Sequence, residues 1–543
     1  MVNRRAAIVY ICIIISFSLV FFRLYNIAVG DVTQLRPALS GQHYRSLNVA
    51  HRRGFIYDRT GTPFNDSDGF VNLVDPSKLL TPYPLIAQSL ALISSWSEED
   101  LLKSLIAGRP FVLRTTHPVS GDWIMSYPFY SRSSPGRSTA VHIVGYTNRD
   151  GDGVTGIEMA FNDFLIRTSA SVRATFETDA PGRTFAGLPV TVYDRNYFCP
   201  GGVKLTLDLA LQRGIERIAD KSVRSGAIMV TKVSTGEILA SVSRPDFDVN
   251  NIADYLNSEY GEFVNRAFSP FTPGSFFKTI VAAAALEYRP DLIDYRYTCS
   301  GLIDVFGREF RCMNRWGHGE LCMTQAYARS CNPYFMHLAL ELGYERIYEM
   351  AKRFGIGQRR SIDLLRTGSG NIPSLRSPPP ALIANTAIGQ GALMITPLEA
   401  SAIVSAIAND GLMPRMAILR ALVFPDRSVY FDEFDHRRVI SSATARTLMG
   451  MMLACVEFGT GVSAEPRSGG AGGKTSSAES GQFIIGENGE PEQIVHSWFA
   501  GFYPAENPVF AITVIVEGGV NQGIRAANVF REVCDYIGKR FFG

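Results

Sequence analysis

Apolar and polar positions follow three rhythms along the chain, and each predicts a different element. The first is unbroken. Residues 6–22 form an uncharged run, AAIVYICIIISFSLVFF, of 17 residues, at the lower end of the roughly 17–25 that cross a bilayer. Arg4 and Arg5 precede the run, and Arg23 follows it where its stem can snorkel. Leu24, Tyr25 and Ile27 extend the interfacial part. A cleaved leader is the rival reading, because Ala28-Val29-Gly30 has small residues at cleavage spacing. The run exceeds the usual leader core of about 7–15 residues, and Arg23 interrupts the approach to the cut. An uncleaved anchor over residues 6–23 is therefore expected. Arg4 and Arg5 hold residues 1–5 in the cytoplasm as a short stub and leave the rest of the chain outside.

The second rhythm has period two. GAIMVTKVSTGEILASVSRP (residues 226–245) predicts a β-hairpin folded at Ser234-Thr235-Gly236. HSWFAGFYPAENPVFAITVIVEGG (residues 496–519) predicts a second hairpin with a longer turn around residues 504–508. A short strand is expected at Phe55–Tyr57, ending in an Asp-Arg-Thr-Gly turn. VKLTLDLALQRGIERIAD (residues 203–220) predicts a strand and then a helix.

The third rhythm is helical. It dominates residues 275–353 and 397–409, and NRDGDGVTGIEMAFNDFL (residues 148–165) predicts a loop running into an amphipathic helix. Asp150 and Asp152 lack the distant glutamate of an EF-hand and fit a turn. Strands at both ends with helices between them imply an α+β fold, an antiparallel sheet flanked by helices, over residues 201–543. Residues 24–200 are mixed and turn-rich, and predict a β-rich pedestal domain before it.

Composition narrows the function classes. A chain of 543 residues, 46% hydrophobic and 19% charged, is a folded protein of two or three domains. Its 53 basic and 51 acidic side chains leave a net charge of +2, which gives nucleic acid no basic footprint. The eight cysteines show no C-x-x-C spacing and the chain no H-E-x-x-H, so no metal site is expected. Cys299 and Cys312 are able to pair across a loop in an oxidising compartment, though spacing leaves the connectivity open.

The chemistry gathers at PGSFFKTIVAAAALE (residues 273–287). The chain uses nine lysines against 44 arginines, and only Lys278 has a serine three positions before it, Ser275. Pro-Gly is a turn pair and the rest is strongly helix-forming, which puts Ser275 near a helix N-terminus. Positions i and i+3 share a helix face, about 5–6 Å apart between Cβ atoms. A lysine can act as a general base when burial or a second cation lowers its pKa, and an arginine cannot. An N-capping serine with a solvent-facing lysine is the competing reading. Two further stretches bear on the choice. Ser330-Cys331-Asn332 opens a helical pattern, and Lys474-Thr475-Ser476-Ser477 lies on a predicted strand. A strand with a lysine and hydroxyls can bind a carboxylate and offer N–H groups to an oxyanion.

S-x-x-K, S-x-N and K-T-S in this order resemble the motifs of the penicillin-binding protein transpeptidases. RRGFIYDRTG, GVTGIEMAFNDFL, LTLDLALQ, TGEILASVSRPDFDVN, AIGQGALMITPLEAS and HSWFAGFYP look like recurring segments of the same family. One anchor, a non-catalytic pedestal and a C-terminal domain are similar to its monofunctional class B members. The resemblance implies that Ser275 attacks a D-Ala-D-Ala stem peptide of peptidoglycan and that Lys278 takes its proton. It implies proton relay and amide binding by Ser330 and Asn332, with Lys474 as the nearby cation. Thr475 and Ser477 would bind the terminal carboxylate, and the N–H groups of Ser275 and Ser477 would form the oxyanion hole. Acylation by β-lactams, no cofactor, and a membrane glycan polymerase of the SEDS family as partner are also implied. The chain departs from the family pattern at Ser476, where glycine is usual. A side chain there is expected to narrow the substrate groove and slow β-lactam acylation. An inactive scaffold, a sensor and a D,D-carboxypeptidase are the alternatives.

Overall fold

The computed structural model describes residues 2–26, 44–64, 67–130, 139–185, 187–198, 200–358, 361–431, 435–485 and 490–543. Helix α1 (Val2–Tyr25) contains a 20-residue apolar span, Ala6–Tyr25, none of it buried. At 1.5 Å per residue that span is about 30 Å long, enough to cross a hydrocarbon core. The candidate cleavage residues 28–30 lie outside the described residues.

The chain divides into two compact units. The first comprises Met1–Arg53, Asp66–Ser131 and Ser169–Pro200. It holds two three-stranded antiparallel sheets. One joins Tyr44–Arg52, Ala170–Glu177 and Thr191–Arg195; the other joins Phe111–Thr115, Ser67–Val74 and Ile124–Tyr130. In Ala170–Glu177 every second side chain turns inward, so Ala170, Val172, Ala174 and Phe176 meet Val49, Val71 and Leu73 in one core. Helices Tyr83–Ala91 and Glu98–Ala107 pack Leu90, Leu101 and Leu105 against Val74 and Leu113.

The second unit comprises Gly54–Asn65, Arg132–Thr168 and Gly201–Gly543. Its longest part begins at Gly201, and two earlier segments belong with it. The reason is local: Phe55–Tyr57 pairs in parallel with Gly202–Leu205, and Leu165 accepts a hydrogen bond from Gly54. The helix expected up to residue 165 breaks at Phe161 into Gly156–Ala160 and Asn162–Arg167.

The centre of this unit is a five-stranded antiparallel sheet. Its strands are β1 (Gly226–Lys232), β2 (Ile238–Arg244), β3 (Gly472–Ile485), β4 (Pro491–Tyr503) and β5 (Phe510–Val516), in the order β2-β1-β5-β4-β3. Both predicted hairpins are present, β1–β2 and β4–β5. Alternate residues serve opposite faces. Ile228, Val230, Ile512 and Val514 meet α2 (Leu209–Ser222) and the C-terminal helix Ala526–Phe541 through Leu211, Ile215, Val529 and Phe530. Ala227, Met229, Ala511 and Ile515 enter the larger core on the other face, with α3 (Lys278–Tyr288) and α4 (Asn332–Leu342). A further helix, α5 (Pro397–Ala408), is tied to that face where the Ser401 hydroxyl donates to Thr513 Oγ1 at 2.8 Å.

One stretch departs from expectation. Residues 297–321, inside the predicted helical region, form nested hairpins. Tyr297–Cys299 pairs with Gly319–Leu321 around Leu302–Val305 paired with Arg308–Arg311. Period-two burial (Ile303 and Val305 in; Leu302 and Asp304 out) and positive φ at Gly301, Gly307, Gly317 and Gly319 override the helical pattern.

Candidate active site

Ser275 stands on a 3₁₀ turn, Gly274–Phe277, that runs directly into α3. The turn requires glycine at 274. Its φ is 53°, and a Cβ there would sit 2.7 Å from the Ser477 carbonyl oxygen. That close approach seats the serine turn against β3. Gly274 N–H also donates to the Gly389 carbonyl at 3.0 Å, within AIGQG, which braces the turn from behind. Ser275 is half-buried, and its carbonyl accepts from the Lys278 N–H, closing the first turn.

Lys278 is fully buried. Its ammonium has three donor positions and three acceptors: the Ser330 carbonyl at 2.8 Å, Ser330 Oγ at 3.2 Å and Asn332 Oδ1 at 2.7 Å. Burial holds its pKa well below the ordinary lysine value, and the positive charge of Lys474 pushes it further down. Loss of the proton leaves two donors for these partners and a lone pair for an incoming proton. The bland reading, a solvent-facing lysine, is excluded by this burial.

Ser330 precedes α4 in the left-handed region, with φ 53°, which is uncommon for a residue other than glycine. Hydrogen bonds from Ser330 N–H to the Tyr327 carbonyl at 3.0 Å and from Cys331 N–H to the Ala326 carbonyl at 2.8 Å impose that turn. The result aims both oxygens of Ser330 at Lys278. Asn332 is the first residue of α4, and its amide nitrogen donates to the Arg311 carbonyl at 3.4 Å.

Among the described residues β3 is the edge strand of the sheet, a position at which an extended ligand can pair with strand backbone. Lys474, Ser476 and Ala478 point inward; Thr475 and Ser477 point outward. Lys474 is fully buried, donates to the Thr475 carbonyl at 3.0 Å, and lies 5.6 Å from the Tyr327 ring centroid. Burial lowers its pKa too. Thr475 Oγ1 shares a hydrogen bond with Thr460 Oγ1, and Thr460 N–H is anchored on the Ala328 carbonyl at 2.9 Å. Thr460 was missed by sequence reasoning. Its only signal was a Gly-Thr-Gly triplet with no motif attached.

The structure corrects the groove-narrowing expectation for Ser476. Its side chain is 4% exposed and its hydroxyl donates to the Pro273 carbonyl at 2.7 Å, beneath the serine turn rather than into an open groove. We expect Ser476→Gly to lower the melting temperature by removing this bond, worth about 1 kcal/mol, without speeding penicillin acylation. Differential scanning calorimetry and stopped-flow acylation check it. Faster acylation with unchanged melting would restore the groove-narrowing account.

Ser275, Lys278, Ser330, Asn332 and Lys474 thus come from three segments that meet at Lys278, with Thr475 and Ser477 on the same strand as Lys474. The described cysteines carry no disulfide, and both Cys299 and Cys312 are free thiols.

Comparison with known proteins identifies the family. Residues 226–535 match the family described as the penicillin-binding protein transpeptidase domain. Stage V sporulation protein D of Bacillus subtilis is 30% identical over 99% of this chain and 86% of its own length. The peptidoglycan D,D-transpeptidase MrdA of Haemophilus influenzae is 24% identical over 98% of this chain and 91% of its own. Among solved structures, penicillin-binding protein 3 of Mycobacterium tuberculosis complexed with aztreonam superposes with a TM-score of 0.64. It is 25% identical, covering 91% of this chain and 97% of the other. The chain belongs to the penicillin-binding protein transpeptidase family.

Proposed function

We propose that this protein is a class B peptidoglycan D,D-transpeptidase that works through a Ser275 acyl-enzyme. The observation that carries the reading is the buried Lys278 amine, one helical turn from Ser275 and flanked by Lys474. A neutral amine there accepts the Ser275 proton as Oγ attacks the penultimate D-alanine carbonyl of a stem peptide. The oxyanion faces the N–H groups of Ser275 and Ser477, and positive charge on Lys474 supports the same developing charge. The tetrahedral intermediate then breaks its C–N bond. The departing D-alanine amine takes a proton relayed through Ser330, and the acyl group remains on Ser275. An amine from a second stem peptide attacks that ester, gives its proton back through the same path and forms the cross-link. Splitting one acyl transfer in two is what covalent catalysis supplies. Thr475 and Ser477 hold the terminal carboxylate, and Asn332 the substrate amide.

β-Lactams enter by the same first step and stop at the ester. MrdA of Haemophilus influenzae is named a D,D-transpeptidase, and the Mycobacterium tuberculosis structure holds aztreonam; both support this substrate class. α1 serves as a single-pass anchor that puts residues beyond it on the extracytoplasmic side, following the two arginines at 4 and 5. The first unit beyond α1 acts as the pedestal, and a membrane glycan polymerase of the SEDS family is the expected partner in synthesis.

The test supplies the full chain in detergent micelles with nascent peptidoglycan and a glycan polymerase, then digests the product with muramidase. Cross-linked dimers that disappear with penicillin are the expected result. Free D-alanine released without dimers would replace this reading with a carboxypeptidase; neither product would indicate a scaffold.

A further inference from the structure

Building on the role given to Thr475 in carboxylate binding, we propose that Thr460 fixes the direction of the Thr475 hydroxyl. The site thereby offers a proton, not a lone pair, and selects substrates that end in a free carboxylate. A threonine hydroxyl carries one proton and two lone pairs and rotates to suit its partners. It serves an anion only with the proton turned toward it. Which way that proton points is set by the neighbours.

Thr460 lies in a Gly-Thr-Gly loop after the helix Ser442–Glu457, and Thr475 lies on β3. Their hydroxyls share one hydrogen bond, so one of the two must donate. The Thr475 oxygen is also 3.5 Å from Lys474 Nζ, a group that only donates. Thr460 has little other use for its own proton. The Ala328 carbonyl is 3.4 Å from its hydroxyl and already accepts the Thr460 N–H at 2.9 Å. Cys455 Sγ, 3.6 Å from Thr460 Oγ1, is a weak donor that can fill a remaining lone pair. The bonds therefore run one way, from the Cys455 thiol to Thr460, from Thr460 to Thr475, and from Thr475 outward. The reverse order would send the Thr460 proton to the longer Ala328 contact and turn a Thr475 lone pair on the anion. Hydrogen bonds in series polarise one another, which strengthens the outermost donor.

The loop is shaped to hold Thr460 there. A Cβ at Gly459 would lie 2.2 Å from the Ala328 carbonyl oxygen, and one at Gly461 would lie 3.0 Å from the Cys455 carbonyl oxygen. Gly461 N–H donates to that Cys455 carbonyl at 2.9 Å. Ala328 ends the helix Met323–Ala328, two residues before the Ser330 that grips Lys278. One short segment thus anchors both the general base and the residue that orients the carboxylate contact. Thr460 is exposed and Thr475 half-buried, which puts the pair at the rim where an incoming carboxylate arrives. Thr460 is a positioning residue: it acts through Thr475 and takes no part in acyl transfer.

The experiment compares acylation of the full chain in detergent by benzylpenicillin and by its methyl ester, which lacks the anionic carboxylate. Stopped-flow kinetics give the efficiencies, and intact mass confirms the adduct. The unmutated chain should prefer the acid. Thr460→Val keeps the shape and removes the hydroxyl. It should lose roughly two- to tenfold with the acid, the range of one hydrogen bond, and much less with the ester. The loss should fall on binding rather than on the maximal acylation rate. The acid-to-ester ratio cancels any general loss of folded protein. Thr460→Ser should restore the preference, and Thr460→Val should add nothing in a Thr475→Ala background. Equal losses with acid and ester, or no loss with either, overturn the proposal. So does an unmutated chain that does not distinguish the two compounds. A chain that forms no adduct with either compound removes the acyl-enzyme reading itself, and this assignment with it.

Discussion

Ser275→Ala will leave no covalent penicillin adduct, with acylation reduced at least about 10⁴-fold, the scale on which loss of a nucleophile acts in comparable serine enzymes. The fold should survive the change. Ser275 is half-buried, and the interactions that form its turn are backbone ones: Lys278 N–H to its carbonyl, and Gly274 N–H to Gly389. Alanine also keeps the turn geometry that Gly274 permits. Intact-mass spectrometry after incubation with penicillin gives the answer, with unchanged melting as the control for folding. Reversible, non-covalent binding should persist, since the carboxylate contacts on β3 are untouched. An adduct of undiminished yield in the alanine variant would mean that the chemistry resides on another side chain.

The second large effect belongs to Lys278. Lys278→Met retains the volume and cannot take a proton, so acylation should fall about 10²–10⁴-fold, the range of general-base contributions. Lys278→Arg should not rescue it, because a guanidinium stays protonated. In the unmutated protein the acylation rate should climb with pH through a single deprotonation well below 10.5, the ordinary lysine value. The sign follows from which form reacts: the neutral amine accepts the proton, so the low-pH ammonium is inactive. Stability moves in the same direction. The unfolded chain keeps this lysine protonated up to its ordinary value while the folded chain does not. The unfolded state therefore binds more protons across that window, and stability rises with pH there. Stopped-flow acylation over a pH series reads the first effect, and denaturant unfolding at the same pH values reads the second. A flat acylation profile would remove Lys278 from the role of base.

Much of the architecture was legible in the chain because its signals are local. The hairpins β1–β2 and β4–β5 show period-two alternation about turn residues, and α5 begins at a Thr396/Glu399 capping box that one turn of sequence contains. Ser275, Lys278, Ser330, Asn332, Lys474 and Thr475 were readable because two short motifs and a strand carry them. What stayed hidden depends on distance in sequence. Cys299, Cys312, His318 and Cys331 obey no short spacing, and only the nested hairpins bring their heads together. The hairpins themselves were masked by helix-forming neighbours, since Tyr297–Leu321 is stabilised by turn glycines and packing rather than by a continuous pattern. Thr460 was invisible because its importance is a hydrogen bond to Thr475, 15 residues away. Ser476 was misread because residue type alone does not say which side of an edge strand a hydroxyl faces.

The left-handed turn at Ser330 separates two kinds of tolerance that usually coincide. Threonine would preserve the hydroxyl, yet its branched Cβ is poorly accommodated at φ 53° and would add strain to the turn. Glycine would discard the hydroxyl and fit the backbone with ease. At this position the substitution that looks conservative to a chemist is the one the main chain resists. Variation there is thus confined on one side by reactivity and on the other by conformation, which leaves serine a narrow place between them.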